Sequence, residues 1–428
     1  MTDEHPAVEG PEASDGLTRR QLLAGAATLV GGAVLAGLPG SAAGQGKDVP
    51  APPVAPPDPT KLQGGPTSAV GSRSPFVTPG RTPTGQTVGN SLTPLQDLTG
   101  TITPSDLHFE RHHAGVPTID PDRHELIIHG LVERPTVFTV EDIKRFPSVT
   151  RPYYIECSGN GRASYRDPKP DMTPQKVYGL TSNSEWTGVP LAQLFREVGV
   201  KPEATWFLAE GGDACVLTRS VPVAKGWDDA MIVWAQNGEP IRPEQGFPLR
   251  LLLPGYEGNI NVKWLRRLEL GTAPWMTRWE TSKYTDMLAD GTAREFSLVM
   301  DATSIITSPA FPRVLKDKGW WPVTGLAWTG RGKITRVEVS TDGGRSWADA
   351  ELQEPVLPNA HTRFSSMWEW NGRETVLLSR ATDETGYVQP IRKDLLAVRG
   401  LGTDYHFNQI KGWRVKADGT IVFEGGEA

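Results

Sequence analysis

Between residue 105 and about residue 310, apolar and polar positions come in short runs whose period keeps changing. Glu125-Leu126-Ile127-Ile128-His129-Gly130 reads as a strand stopped by glycine. Thr139-Val140-Glu141-Asp142-Ile143 opens a short helix, with Thr139 as its cap and Asp142 at the third helical position. Leu191, Leu194, Phe195 and Val198 recur at helical spacing and predict an amphipathic helix over 190–198. Residues 247–253 and 262–270 are apolar enough for buried strands. Strands and short helices are mixed without strict strand–helix–strand alternation, which predicts an α+β domain over 105–310 rather than a doubly wound sheet. No phosphate loop or GxGxxG-opened helix occurs, and Gly211-Gly212 and Gly343-Gly344 are turn glycines.

Beyond about residue 312 the pattern becomes all-β. Val337–Ser340 alternates, Asp342-Gly343-Gly344 supplies a turn, and further runs lie at 375–380 and 413–415. This fits an immunoglobulin-like β-sandwich of about 100 residues over 311–428. Ahead of both domains stand two segments of different character. Residues 1–43 carry Arg19-Arg20, a Gly/Ala-rich apolar run and Ser41-Ala42-Ala43, the pattern of a twin-arginine export signal. The run is short and glycine-rich for a membrane span, so a cleaved signal is expected over an anchor. That route delivers a folded protein to the periplasm. Residues 44–104 form a Pro/Gly-rich leader, and 12 of the chain's 37 prolines lie in 47–104. Such a stretch is expected to lie extended along the domain.

Composition narrows the function classes. The 428 residues include 44 Lys+Arg, 50 Asp+Glu and two Cys. A net charge of −6 speaks against general nucleic-acid binding, which needs a basic face. Residues 1–43 hold five acidic and two basic residues, so their removal leaves −3 and the acidity points to no partner. Two cysteines cannot build a disulfide scaffold, a four-Cys zinc site or a Cys-ligated iron–sulfur cluster. Soft-metal chemistry must therefore rest on one thiolate, or on a cofactor that brings its own ligands.

The candidate chemistry centres on Tyr153-Tyr154-Ile155-Glu156-Cys157-Ser158-Gly159-Asn160-Gly161-Arg162. An apolar strand delivers Cys157 into a glycine-rich turn with a cation five residues on. A thiol so placed is expected to have a lowered pKa and to serve as a thiolate for a soft metal or an electrophile. The same pattern also fits a buried structural cysteine, or a disulfide to Cys215. Cys215 itself reads as a core residue of an apolar strand. His112-His113 invites a zinc reading, but no second His or Cys pair has zinc spacing. Arg111, Arg250 and Lys263 taken singly read as surface ion pairs, and Tyr284 as a half-buried aromatic.

Other segments give those residues a context: Phe109-Glu110-Arg111-His112-His113, Gln245 to Arg250, Val262-Lys263-Trp264, Trp279 with Tyr284, and Arg363 ahead of Trp368 and Trp370. Their order, with the Cys157 motif and the closing β-domain, resembles the sulfite oxidase family of molybdenum enzymes over about residues 92–420. Within it the likeness is to the Sox-pathway sulfite/sulfane dehydrogenase branch. The resemblance implies a sulfite-oxidase-type molybdopterin domain followed by a dimerisation domain. It implies that Cys157 binds molybdenum, whose other ligands come from a single pyranopterin dithiolene. Phe109, Arg111, His113, Asp213, Gln245, Arg250 and Lys263 would contact that cofactor. Arg111, Arg162 and Arg363 would bind the substrate anion, and Tyr284 would serve as the active-site tyrosine. The chain departs from the pattern at Gln245, where the family often has His, and at His112, where Asn is more usual. It also has Gly161 where animal homologues carry a second Arg, and Arg363 falls out of register with the family's arginine beside the Trp pair. A less cationic or wider pocket is expected from these changes. The implied activity is periplasmic oxidation of sulfite, or of sulfane sulfur on a carrier protein, by oxygen-atom transfer. With no Cys-x-x-Cys-His haem motif here, a separate c-type cytochrome is expected to take the electrons. A homodimer is also implied. The alternatives are a periplasmic methionine-sulfoxide reductase and a non-enzymatic exported binding protein with a Cys157–Cys215 disulfide.

Overall fold

Two five-stranded sheets carry the first half of the molecule. The computed structural model describes residue 58, residue 61 and residues 63–425, so the expected export signal lies outside the described residues. One sheet runs in the order Glu239–Pro240, Met231–Gln236, Thr181–Pro190, Val149–Glu156, with Arg250–Leu252 also paired to Met231–Gln236. The other runs Thr136–Thr139, Glu125–Gly130, Leu265–Gly271, Trp206–Gly211, Thr218–Pro222. Among the described residues only Glu125–Gly130 and Leu265–Gly271 pair in parallel, so the domain is α+β.

Local signals act as the sequence requires. Thr139 accepts from the Asp142 amide at 3.1 Å while Asp142 accepts from the Thr139 amide at 3.1 Å, closing a capping box on helix Val140–Lys144. Helix Leu191–Val198 turns Leu191, Leu194, Phe195 and Val198 into the core, all at 0% exposure. These side chains join Leu126, Ile128, Phe207, Leu251 and Leu268 in one apolar cluster between the sheets. Two expected strands are shorter than the apolar runs. Pro248, which has no N–H to give, precedes Arg250–Leu252. Trp264 adopts a left-handed φ of 54° just before Leu265–Gly271.

The second half is a β-sandwich. One sheet runs Thr303–Ser308, Gly319–Trp328, Thr362–Trp370, Glu351–Leu352, and the other Ala348–Asp349, Ile334–Ser340, Thr375–Asp383, Gly412–Val415, Ile421–Glu424. Trp328, Phe364, Leu377 and Trp413 fill the space between them. The sandwich starts upstream of residue 311, because Thr303–Ser308 pairs with Gly319–Trp328 along its whole length. Its core also takes in Leu95, Tyr154 and Tyr178 from earlier in the chain. Nor is the end of the leader merely laid on the surface. Asn90–Leu92 pairs with Glu110–Arg111, and Leu95 and Thr103 are fully buried. A few apolar and hydroxyl side chains suffice to anchor a stretch that proline content alone marks as extended.

Candidate active site

Strand Val149–Glu156 ends at Cys157, whose amide donates to Leu180 O at 3.0 Å. The turn that follows is held from both sides. Asn160 donates to Glu156 Oε1 at 2.9 Å and accepts from the Leu180 amide at 3.0 Å. Gly161 has φ 84°, and a Cβ there would stand 2.7 Å from the Tyr178 ring. Only glycine fits that position, so Gly161 serves the turn and does not widen a pocket. Helix Arg162–Arg166 starts directly after it.

The thiol pKa departs from the sequence expectation. Burial pushes Cys157 up, and the Gly159 amide with the charges of Arg111 and Arg162 recovers only part of that cost. Cys215 also differs from its expected place. It sits in a turn after Trp206–Gly211, half-buried, with Sγ donating to Asp213 Oδ2 at 2.8 Å. Burial and the Asp213 carboxylate push that thiol up to about 12. Both cysteines are free, so the disulfide of the binding-protein alternative is not formed.

Cys157 opens into a cleft that is also lined by Phe109, Arg111, His113, Asp213, Gln245, Arg250, Lys263 and Tyr284. Residues separated by up to 175 positions thus meet in one place, at the edges of both catalytic sheets. Gln245, 2% exposed, fixes two of its neighbours: Nε2 donates to Phe109 O at 2.8 Å, and Oε1 accepts from Arg250 at 3.2 Å. Arg250 is 4% exposed, and burial lowers its pKa to about 9. Lys263 donates to Arg111 O at 3.1 Å, Glu244 O at 3.1 Å and His112 Nδ1 at 2.9 Å; burial, then the charge of Arg250, holds it well below its usual pKa. Because Lys263 donates to Nδ1, the His112 proton resides on Nε2, which faces Glu110 Oε2 at 2.8 Å. His113 Nε2 shares a 2.5 Å hydrogen bond with Tyr284 Oη, and burial and Arg111 lower the imidazole pKa to about 4. Tyr284 has a φ of 56°, unusual for a bulky residue, and burial followed by the Cys157 charge raises its phenol pKa far above the usual value. Phenol and imidazole are both neutral at pH 7.

Two expected residues are not brought to the cleft wall. Arg162 lies beside Gly159, half-exposed, donating to Asp404 O at 2.9 Å and lying 3.6 Å from its carboxylate. Arg363 sits in strand Thr362–Trp370 and donates to Leu98 O at 2.7 Å and to Gly100 O, so it ties the leader to the sandwich. Residues that sequence reasoning missed include Asn259 and Trp264 in the lining and Tyr405 behind Tyr284. Trp264 adjoins Lys263 and was within reach of a motif argument. Asn259 and Tyr405 carry no sequence signal.

The residues present fit an anionic pterin cofactor. Arg111, Arg250 and Lys263 bond backbone carbonyls, an amide and an imidazole, and none makes an ion pair among the described residues. Arg250 Nε is buried with no partner. Uncompensated cations at such depth are costly unless an anion joins them. A phosphate-bearing group would complete the set, with the Cys157 thiol as the soft ligand.

The comparisons agree with that chemistry. Residues 113–279 match the oxidoreductase molybdopterin binding domain, and residues 294–412 match the Mo-co oxidoreductase dimerisation domain. Both matched domains are those of molybdopterin oxidoreductases. The solved structure of the sulfane dehydrogenase SoxCD from Paracoccus pantotrophus superposes with a TM-score of 0.82 at 43% identity, covering 86% of this chain and 99% of that one. Mitochondrial sulfite oxidase from Drosophila melanogaster is 31% identical over 339 residues, 72% of this chain and 59% of its own length. Nitrate reductase 2 from Phaseolus vulgaris is 32% identical over 320 residues, 67% of this chain and 36% of its own. The chain thus spans about three fifths of the first of these curated relatives and about a third of the second, and it belongs to the sulfite oxidase family.

Proposed function

We propose that this chain oxidises reduced sulfur, either sulfite or sulfane sulfur on a carrier, by oxygen-atom transfer from water. Each oxygen atom added to sulfur releases two protons and two electrons. The observation that carries the reading is the junction of one thiol, one neutral phenol and three uncompensated cations in a single cleft. Sequence likeness to a sulfane dehydrogenase and to sulfite oxidase supports the choice of sulfur. When bound, the molybdenum–pterin group supplies the two-electron oxygen-transfer chemistry. Cys157 would hold the metal; Arg250, Lys263 and Arg111 would hold the anionic end, with Gln245 orienting Arg250. Tyr284 Oη donates a hydrogen bond to His113 Nε2, which is deprotonated at neutral pH and so fixes the neutral phenol at the Cys157 end of the cleft. A c-type cytochrome is the proposed one-electron acceptor, the sandwich the proposed homodimer contact, and twin-arginine export to the periplasm the proposed route.

The test is metal content and turnover together. Purified protein is expected to hold stoichiometric molybdenum and to reduce cytochrome c with sulfite or with a cysteine persulfide. Absence of molybdenum with neither substrate turned over defeats the proposal.

A further inference from the structure

Lys263 has three protons to donate, and the protein accepts all three. Its Nζ donates to Arg111 O at 3.1 Å, Glu244 O at 3.1 Å and His112 Nδ1 at 2.9 Å. While that set is intact, the ammonium has no donor left for a phosphate. Yet Lys263 lines the cleft beside Arg111 and Arg250, where an anionic pterin cofactor would meet it. To donate to that anion, Lys263 must let go of one acceptor. The three acceptors are not equivalent. Arg111 O and Glu244 O are backbone carbonyls, and a carbonyl that is dropped stays short of a partner. An imidazole nitrogen has another course, because Nδ1 released by Lys263 can bind a proton.

The surroundings of His112 suit a cation. Its Nε2 faces Glu110 Oε2 at 2.8 Å, and that hydrogen bond is the main reason the Glu110 carboxyl lies below its usual pKa and is ionised at neutral pH. The Glu110 side chain is 19% exposed, which gives the ring a proton route to solvent. Arg81 lies 3.5 Å from Glu110 and 3.6 Å from Glu244 and holds the two acids side by side. Against protonation stand burial and the charges of Lys263 and Arg111; burial is the largest and sets the imidazole below its usual pKa, with Glu110 recovering part. The Trp264 ring, 6.0 Å from that of His112, adds no charge. Behind Lys263 stand Arg250, Asp213 and Glu244. An anion in the cleft shifts this balance, because it attracts Lys263 and favours a positive ring.

We propose that His112 takes up a proton when the anionic end of the cofactor binds, so that Lys263 turns from Nδ1 to the anion and a Glu110–His112 ion pair closes behind it. The hydrogen bond from Lys263 Nζ to Nδ1 breaks, an Nδ1–H bond forms with a proton from solvent, and the ring gains one positive charge. The inference rests on the pterin-cofactor reading above and adds a proton to it. The bound chain then holds one more proton than the free chain between the two imidazole pKa values. Affinity therefore falls as pH rises through that window, by up to about tenfold per pH unit. An asparagine, more usual in the family at this position, carries its donor at any pH and has no such dependence.

The experiment follows release of the pterin group from the cofactor-loaded full chain across neutral and mildly alkaline pH. Pterin fluorescence in the filtrate reports release, and molybdenum content is measured at the start. His112→Asn keeps a donor that does not titrate, so the ratio of wild-type to variant release rate cancels the titration of Arg250, Lys263 and the phosphate itself. That ratio is expected to rise with pH by about fivefold or more, since affinity differences of this kind appear mainly in dissociation. Glu110→Gln keeps the hydrogen-bond acceptor without its charge and is expected to move the rise to lower pH by about one unit. A purely structural role for His112 would scale release equally at every pH. A flat ratio at full starting molybdenum overturns the inference, and so does a Glu110→Gln profile superimposable on that of wild type. The cofactor reading fails by a different result, a wild-type chain that holds neither molybdenum nor pterin.

Discussion

The floor of the cleft and its rim both hold buried or half-buried cations, and they treat them in opposite ways. At the floor, Arg250 and Lys263 have no carboxylate in ion-pair range, and Arg250 Nε has no partner at all. At the rim, three cations have their acids. Arg219, 0% exposed, lies between Glu257 at 3.4 Å and Glu280 at 3.8 Å and stacks 5.1 Å from the Tyr284 ring. Arg399 pairs with Asp286 at 3.1 Å, and Arg162 with Asp404. Paired charge is structure: it holds Tyr284 and the chain around Asp404 in place. Unpaired charge at equal depth is a vacancy in the electrostatics that a ligand must fill.

The strongest way to break that contrast is to remove the soft ligand itself. Cys157→Ser is expected to abolish molybdenum retention and turnover while leaving the fold intact, as metal analysis and circular dichroism would show. Next in size comes a matched pair of substitutions compared without cofactor. Arg219→Met strands Glu257 and Glu280 and should cost about 3–5 kcal/mol in denaturant unfolding. Arg250→Met removes a charge that no carboxylate pairs, so cofactor-free stability should change by less than about 1 kcal/mol or rise, while cofactor content falls. Equal destabilisation by the two would erase the distinction between floor and rim.

Much of this contrast was legible in sequence, and the reasons are local. Cys157, Arg250, Lys263 and Tyr284 stand in short motifs with distinctive neighbours, and helix Leu191–Val198 declared itself by spacing. What stayed hidden depends on long-range placement. The charge state of Cys157 is set by burial that no local turn reveals, so a lowered pKa was the wrong expectation. Arg363 looked like a substrate ligand because it precedes the Trp pair, yet strand register aims it at Leu98 and Gly100. Tyr405 had no signal because its partner Tyr284 lies 121 positions away. The sandwich boundary slipped because Thr303–Ser308 resembles the strands on either side of it.

Between the halves of the molecule there is a third treatment of a buried base, which is to leave it neutral. His361 is 3% exposed, shares a 2.9 Å hydrogen bond with Thr181 and stacks on Tyr154; burial lowers its pKa to about 3. The unfolded chain binds a proton near the ordinary imidazole value of 6.5, so it holds more protons than the folded chain between those limits. Stability from this residue is therefore complete above about pH 6.5 and declines toward pH 3, by at most about 1.4 kcal/mol per pH unit. His361→Gln is expected to flatten that part of the acid limb in unfolding curves collected across the range. An unchanged slope would mean that the seam tolerates the charged form.

Arg363 gives the smallest effect and the sharpest check on where the site ends. Its guanidinium bonds the carbonyls of Leu98 and Gly100 and does not line the cleft, so it serves the fold although it faces no acid. Hydrogen bonds to a charged donor are worth about 1.5–3 kcal/mol, less where solvent reaches them. Arg363→Ala should therefore lower stability by about 1–2 kcal/mol, while molybdenum content and KM for sulfite and persulfide stay within twofold of wild type. A tenfold rise in KM for either substrate at full molybdenum content would return Arg363 to the substrate site.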